Sequence, residues 1–336
     1  MSRHRIGSAL TASVLALGVP GLAAAPASAK EISFANFVPA SHTVQREVLE
    51  PFFKTLAKES NGELTVKMYL GGELGKGPLA QYTRAVQGIA DMTWSLHGYT
   101  SSQFPRTMLA QLPGLNVEAG KSVTWAAQVK YLAREYPGTH VIANWGADTN
   151  ILMMRNKVVR KVSDLKGLKI RIAGTVPAQL IRALGAVPVQ MPAPRMYNAL
   201  ATGLVDGIMT GTCAIPDFKL NEVATSYTVG LPLGNVSFYL VMNQKTWDGL
   251  SARDKGLINK YGREKLSLHA QKVWFDCESR TIAMLRKNKK NTVVDVTGAD
   301  RAAFLKIISD VRNKVIADLD KKGVNASEIV KVMMAK

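Results

Sequence analysis

Cysteine is nearly absent from this chain: Cys213 and Cys277 are the only two among 336 residues. One pair builds neither a disulfide scaffold nor a thiolate metal site, and the spacing alone leaves open whether the two meet. Histidine is scarce as well. Beyond residue 29 only His42, His97, His140 and His269 occur, none with a second His or a carboxylate at ligand spacing on a shared helix face, which argues against a metal centre. No G-x-S-x-G elbow, C-x-x-C pair or H-E-x-x-H helix is present, so a nucleophile, a base and an orienting group cannot be assembled and hydrolase or lyase chemistry is disfavoured. The glycine-rich stretch Gly71-Gly72-Glu73-Leu74-Gly75-Lys76-Gly77 lacks phosphate-loop spacing, because Leu70 stands five before Gly75 and Gly77 follows the lysine; it reads as a tight loop. After residue 25 no apolar run reaches the roughly 20 residues that a membrane span needs. Acidic residues are also short, 25 against 43 Lys and Arg, for a formal charge of +18.

The N-terminus carries Arg3 and Arg5, then an acid-free apolar run from Ile6 to Ala25, then Ala27-Ser28-Ala29. Basic start, short greasy run and small-x-small site read as a secretory signal peptide cleaved after Ala29, leaving a chain that begins at Lys30. Gly7, Gly18, Pro20 and Gly21 interrupt the run, which speaks against a membrane anchor. Removing 29 of 336 residues leaves 307, and loss of the two arginines takes +18 to +16. A basic excess of this size invites a nucleic-acid reading. The lysines, however, are scattered without clustered aromatics, so no nucleic-acid partner is expected and the charge reads as solvated surface with weak steering of anions. A chain of this length suits two lobes of ordinary domain size.

From Lys30 short β-rich runs alternate with amphipathic helical stretches, the pattern of layered α/β architecture. Glu31–Phe37 reads as a first strand, and Val44, Val48, Phe52 and Leu56 mark one face of a helix that stops at Asn61-Gly62. Leu64–Leu70 is the next strand, a helix from Pro78 to Val86 ends at Gly88, and Ile89–Leu96 is a third strand. A second unit follows: strand Leu168–Ile172, helix Val176–Leu184, strand Val187–Gln190, helix Met196–Ala201 with Pro194 in its first turn, and strand Val205–Met209. From Ser251 to Lys287 no strong breaker occurs, and a helix kept through Gly256 and Gly262 would be on the order of 50 Å long, wider than one lobe.

Asp91, Asp148, Asp164 and Asp206 fall near expected element ends, where carboxylates cap backbone N–H groups. Arg171 differs: it sits inside the apolar strand Leu168-Lys169-Ile170-Arg171-Ile172. A guanidinium there needs an anion or hydrogen-bond acceptors, and its fork matches a carboxylate bidentately. From residue type alone a ligand clamp and an internal salt bridge are equal readings.

The segment Val162-Ser163-Asp164-Leu165-Lys166-Gly167-Leu168-Lys169-Ile170-Arg171, then Leu184-Gly185-Ala186-Val187-Pro188-Val189, Tyr197-Asn198-Ala199-Leu200 and Gly203-Leu204-Val205-Asp206-Gly207, closely resembles the periplasmic solute-binding proteins of TRAP transporters, the DctP family. Pro39, His42, Gly62, Leu74-Gly75, Gly88-Ile89-Ala90-Asp91-Met92 and Tyr239-Leu240-Val241-Met242-Asn243 extend the match over nearly all of the chain beyond the signal. The resemblance implies an α/β, two-lobed periplasmic binding protein with hinge strands, a ligand cleft and a long helix spanning both lobes. It assigns 30–149 and 237–275 to lobe I, 150–236 and 276–336 to lobe II. It also implies that Arg171 clamps a ligand carboxylate, that no cofactor or chemistry is involved, and that the partners are the small and large membrane subunits of a TRAP permease.

The chain departs from the dicarboxylate and sialic-acid patterns of that family at two places. Where such members carry a second cleft arginine it has Asp148-Thr149-Asn150-Ile151, and where they carry a ligand-bonding Asn it has Thr210 preceded by Met209. Both changes remove polar grip. Phe37, Trp94, His97, Tyr99 and Trp145 lie at strand ends or loops that the resemblance places near the cleft, with lobe core as the equal alternative. The expected ligand is a small organic acid, an aromatic or apolar monocarboxylate. The alternatives are a C4-dicarboxylate or sugar acid in the same family, or delivery to a sensor instead of a permease.

Overall fold

The computed structural model describes residues 1, 29–75, 77–115 and 122–335; the expected signal peptide lies outside them except at its two ends. Ten strands are formed: β1 Lys30–Ala35, β2 Leu64–Tyr69, β3 Met92–Leu96, β4 Thr139–Met154, β5 Lys169–Ile172, β6 Val187–Gln190, β7 Gly207–Gly211, β8 Ser226–Val229, β9 Asn235–Asn243 and β10 Thr292–Asp295. One group runs in the order β2-β1-β3-β9-β4 and the other continues β4-β7-β5-β6, with β8 and β10 attached beside β4. Within each group the α/β units pair in parallel, β1 with β2 and β3, β5 with β6 and β7. The 16-residue β4 serves both groups. Its Thr139–Thr149 portion lies antiparallel to β9, and Asn150–Met154 lies antiparallel to β7. One strand that changes partner midway ties two lobes together without a loop, and its register is irregular between Gly146 and Thr149 at that changeover.

The hydrophobic pattern explains the layers. Val48, Phe52 and Leu56 are all buried on a helical segment running from Gln45 through Glu59, with Val44, also buried, just before it, and Asn61 and Gly62 then take the left-handed conformation that ends it. All nine residues of β9 are buried, as expected for a strand covered on both faces. Several strand ends shift: the strand expected at Ile89–Leu96 begins at Met92, the one expected at Glu31–Phe37 is Lys30–Ala35, and the one expected at Val205–Met209 is Gly207–Gly211, with Asp206 in the turn before it accepting from the Lys169 N–H at 2.7 Å. The segment Ser251–Lys287 is not one helix. It breaks at Gly262 into Ala252–Tyr261 and Arg263–Lys287, because the chain there presses on β4: a Cβ at Gly262 would meet the Ile258 carbonyl at 2.6 Å and Ile142 Cγ2 at 3.2 Å.

The 25-residue helix Arg263–Lys287 is thus roughly 37 Å long, not 50. It still spans the molecule, packing on β4, on the helical turn Gln45–Leu49 and on β10. The helix Gly298–Lys321 covers Thr175–Ala183, and the last helix, Ala326–Met334, crosses back to pack on Val123–Ala127 and the turn at Thr107–Gln111.

The lobes are closed on one another, and two glycines set how near they come. At Gly98 a Cβ would sit 2.6 Å from the Ala173 carbonyl, and at Gly174, with φ +113°, 3.1 Å from Gly98 Cα. Gly98→Ala should therefore wedge this contact open. By the usual 1–3 kcal/mol of overpacking, ligand affinity should fall by about tenfold or more while the melting temperature of the ligand-free protein changes little. Calorimetric titration and scanning calorimetry check this; an alanine variant with undiminished affinity would contradict the close approach.

Candidate functional site

Arg171 on β5 and Thr210 on β7 project into one cavity between the strand groups. Arg171 pairs with Ile208 across the β5–β7 ladder, so Thr210, two residues on, lies on the same face. The cavity is narrow: about 40 Å³ of it can be reached by the centre of a water-sized sphere.

The guanidinium of Arg171 is 1% exposed. Its Nε and Nη2 both donate to the Met191 carbonyl, at 3.0 and 2.8 Å, which fixes its plane. The Tyr99 hydroxyl lies against it and accepts from the Ala193 N–H at 2.9 Å. Burial lowers its pKa from the ordinary value, yet an arginine stays charged. Among the described residues no carboxylate stands within 4.0 Å of it to make an ion pair. A buried cation without a counter-charge is costly, and its two bonds to Met191 leave further N–H donors on the guanidinium.

The walls are aromatic. Phe37 stacks on Trp94 with centroids 5.3 Å apart, Trp94 on Phe238 at 5.2 Å, and Phe238 meets Trp274 at 5.1 Å. His42 stands edge-on to Trp94 and Phe218, and Trp94 Nε1 is a buried donor with no acceptor. These rings are in contact with one another, so they form a continuous apolar wall along one side of the cavity.

Of the nine residues singled out from sequence, Arg171, Thr210, Trp94 and Phe37 line this cavity, and Tyr99 stands behind Arg171. The other four do not. Met209 alternates to the opposite face of β7 and joins the core around Leu152. Asn150 is spent on the chain at 233–234, its backbone N–H donating to the Gly234 carbonyl at 2.8 Å. His97 is fully buried between Ser237 Oγ at 3.0 Å and Tyr136 Oη at 2.7 Å, its pKa pushed down to about 3 by burial. Trp145 packs in the core against Phe238 and Trp274. Sequence reasoning missed Phe218, Phe238 and Trp274, which come from three distant segments and carry no local signal. It gave Asp148 as a capping carboxylate and as the start of the segment standing where some family members carry a second cleft arginine. Its carboxylate does accept from the Thr212 N–H and Oγ1, but the residue also lines the cavity.

Asp217 closes one side. Its Oδ1 accepts from the Thr43 N–H and from Thr43 Oγ1, both at 2.9 Å, joining residues 174 apart in sequence. His42 Nδ1 lies 3.4 Å from Oδ2; that ring is neutral at physiological pH, because burial and then Arg46 push its pKa down to about 3, and its Nδ1 accepts from the Val44 N–H. Burial pushes the Asp217 carboxyl up to about 6. Cys213, in the cavity wall, is bonded to Cys277 of the long helix, with Cα atoms 5.7 Å apart.

The sequence model of a family described as bacterial extracellular solute-binding protein, family 7 (DctP), matches residues 34–318. The C4-dicarboxylate-binding periplasmic protein DctP of Rhodobacter capsulatus is 26% identical over 322 residues, 94% of each chain. A TRAP solute-binding protein from Rhodoferax ferrireducens, in complex with copurified benzoate, superposes with a TM-score of 0.85 at 24% identity, covering 91% of this chain and 97% of that one. A marine metagenome TRAP solute-binding protein specific for aromatic acid ligands, co-crystallised with 3-hydroxybenzoate, superposes equally well at 25% identity over the same shares.

The disulfide closes a loop between residues 64 apart, which the chain-entropy account values at about 4 kcal/mol. Cys277→Ser, or reduction, should lower the melting temperature by roughly 5–10 °C in scanning calorimetry. An unchanged melting temperature would show that the bond does not constrain the unfolded chain.

Proposed function

Because the chain belongs to family 7 of the bacterial extracellular solute-binding proteins, we propose that its cavity captures a small monocarboxylate with an aromatic or comparably apolar body. The observation that carries this reading is a buried guanidinium without a carboxylate partner, set among stacked aromatic rings. One carboxylate satisfies Arg171, and the ring faces take the rest of the ligand at about 25 cal/mol per Å² of apolar area buried, with ring contacts of about 1 kcal/mol added. The aromatic-acid complex of the marine metagenome protein, at 25% identity, points the same way. A C4-dicarboxylate would bring a second charge to walls that offer no second cation among the residues lining the cavity, and a sugar acid would leave several hydroxyls unpaired.

The chain is a TRAP solute-binding protein. In our reading it is secreted to the periplasm by the segment ending at Ala29 and closes its lobes, 30–149 with 237–275 and 150–236 with 276–336, over the acid. It then delivers the ligand to the small and large membrane subunits of a permease. No helix among the described residues is long and apolar enough to cross a membrane. Contacts from both lobes exist together only in the closed form, so the ligand biases closure by the free energy of those contacts.

Arg171→Ala should weaken binding of benzoate or phenylacetate by roughly two to three orders of magnitude, since it removes one side of a buried charged pair. In a thermal-shift comparison of the wild type, these acids should raise the melting point more than succinate, malate or glucuronate do. Affinity of the variant within about tenfold of wild type, or a dominant response to a dicarboxylate or sugar acid, would overturn the reading.

A further inference from the structure

Asp148 is fully buried and sits where β4 changes partner, in the register irregularity between Gly146 and Thr149. Irregularities of this kind re-aim a side chain that regular pleating would send elsewhere. One carboxylate oxygen, Oδ2, is held by the Thr212 N–H and Oγ1. The other, Oδ1, makes no hydrogen bond of good geometry, while the backbone N–H groups of Asp148 and Cys213 lie near enough to the carboxylate to favour its charged form, and the residue lines the cavity. It points at Gly211, also in the cavity wall: a Cβ there would sit 2.3 Å from Oδ1, so the missing side chain leaves that oxygen its space.

Among the described residues no cation pairs with this carboxylate: Arg171 shares the cavity but forms no ion pair with it, and Asp148 acts electrostatically on a second acid, Glu278. Burial pushes the Asp148 carboxyl up to about 6, and burial together with Asp148 pushes Glu278 up to about 7. One oxygen of this buried carboxyl is left without a bond, and an unmet buried acceptor is costly.

We propose that Asp148 is a specificity-determining residue whose free oxygen accepts a hydrogen bond from a hydroxyl that the ligand carries away from its carboxylate, making the preferred ligand a hydroxylated aromatic acid. This rests on the reading that Arg171 takes the carboxylate of an aromatic acid. Three ligand groups can be weighed at that position. A second carboxylate is repelled by two acids. An ammonium would satisfy Asp148, but it carries a large desolvation cost into an aromatic cavity. A hydroxyl is cheaper to bury and can donate to the spare acceptor.

The test is calorimetric titration at neutral pH of the wild type and of Asp148→Asn with benzoate, the three monohydroxybenzoates, phenylacetate and its hydroxylated counterparts, and 4-(aminomethyl)benzoate. On the wild type, at least one hydroxylated acid should bind about tenfold or more tightly than its unsubstituted parent, and in Asp148→Asn that ratio should collapse toward one. Equal binding of parents and hydroxylated acids by the wild type, a ratio that survives in the variant, or a preference for the aminomethyl acid would overturn the inference while leaving Arg171 as the clamp. The wild-type comparison holds whether or not the variant folds. Absence of binding by every acid would overturn this inference and the reading beneath it together.

Discussion

The arrangement turns on a positive charge held out of water without a counter-charge. Arg171 is planted on a short central strand, braced by the Met191 carbonyl on one edge and by Tyr99 beside it. Such a group costs several kcal/mol to bury and recovers that only when an anion arrives. Everything around it makes the anion's arrival selective. The braced plane fixes the direction of approach, the stacked rings exclude a heavily hydrated ligand body, and the contacts across the cleft at Gly98 with Gly174 and Thr43 with Asp217 close the site. On the proposed function a rigid receptor inside a hinged shell would divide the work, with orientation built in beforehand and enclosure following binding.

The shared strand β4 makes that division possible. Because Thr139–Thr149 and Asn150–Met154 belong to different strand groups, the point of changeover lies at the cleft itself. The side chains there, Ala147 and Asp148, line the cavity, and Asp148 reaches across to Thr212. The long helix Arg263–Lys287 runs along the back of the same strand, and its Trp274 and Cys277 reach the cavity wall, one as a ring face and the other through the bond to Cys213. The β4–helix layer is therefore both hinge support and binding surface.

Much of this was legible in the residues. Strand and helix alternation, the glycine and asparagine stops at Gly62, Gly88, Gly185 and Gly203, and the anomaly of an arginine in an apolar strand all follow from local chemistry. What was not legible depended on pairing. The ends of β7 fall two residues later than the pattern suggested, and its pairing with β5 and β4 turns Thr210 to the cavity and Met209 to the core. The break at Gly262 comes from the approach of Ile142, distant in sequence. Asp148 read as a cap because capping is what a carboxylate at a strand end usually does; only the tertiary fold shows that its second oxygen faces a cavity. Phe238 and Trp274 were ordinary apolar residues until the fold stacked them.

The central claim, one carboxylate and an aromatic body in this cleft, is tested most directly by identifying what the protein carries when purified from its own periplasm without added ligand. Native mass spectrometry, followed by release under denaturing conditions and fragmentation, should find a stoichiometric adduct that is an aromatic acid with a single carboxylate. A stoichiometric dicarboxylate or sugar acid in its place would contradict the account.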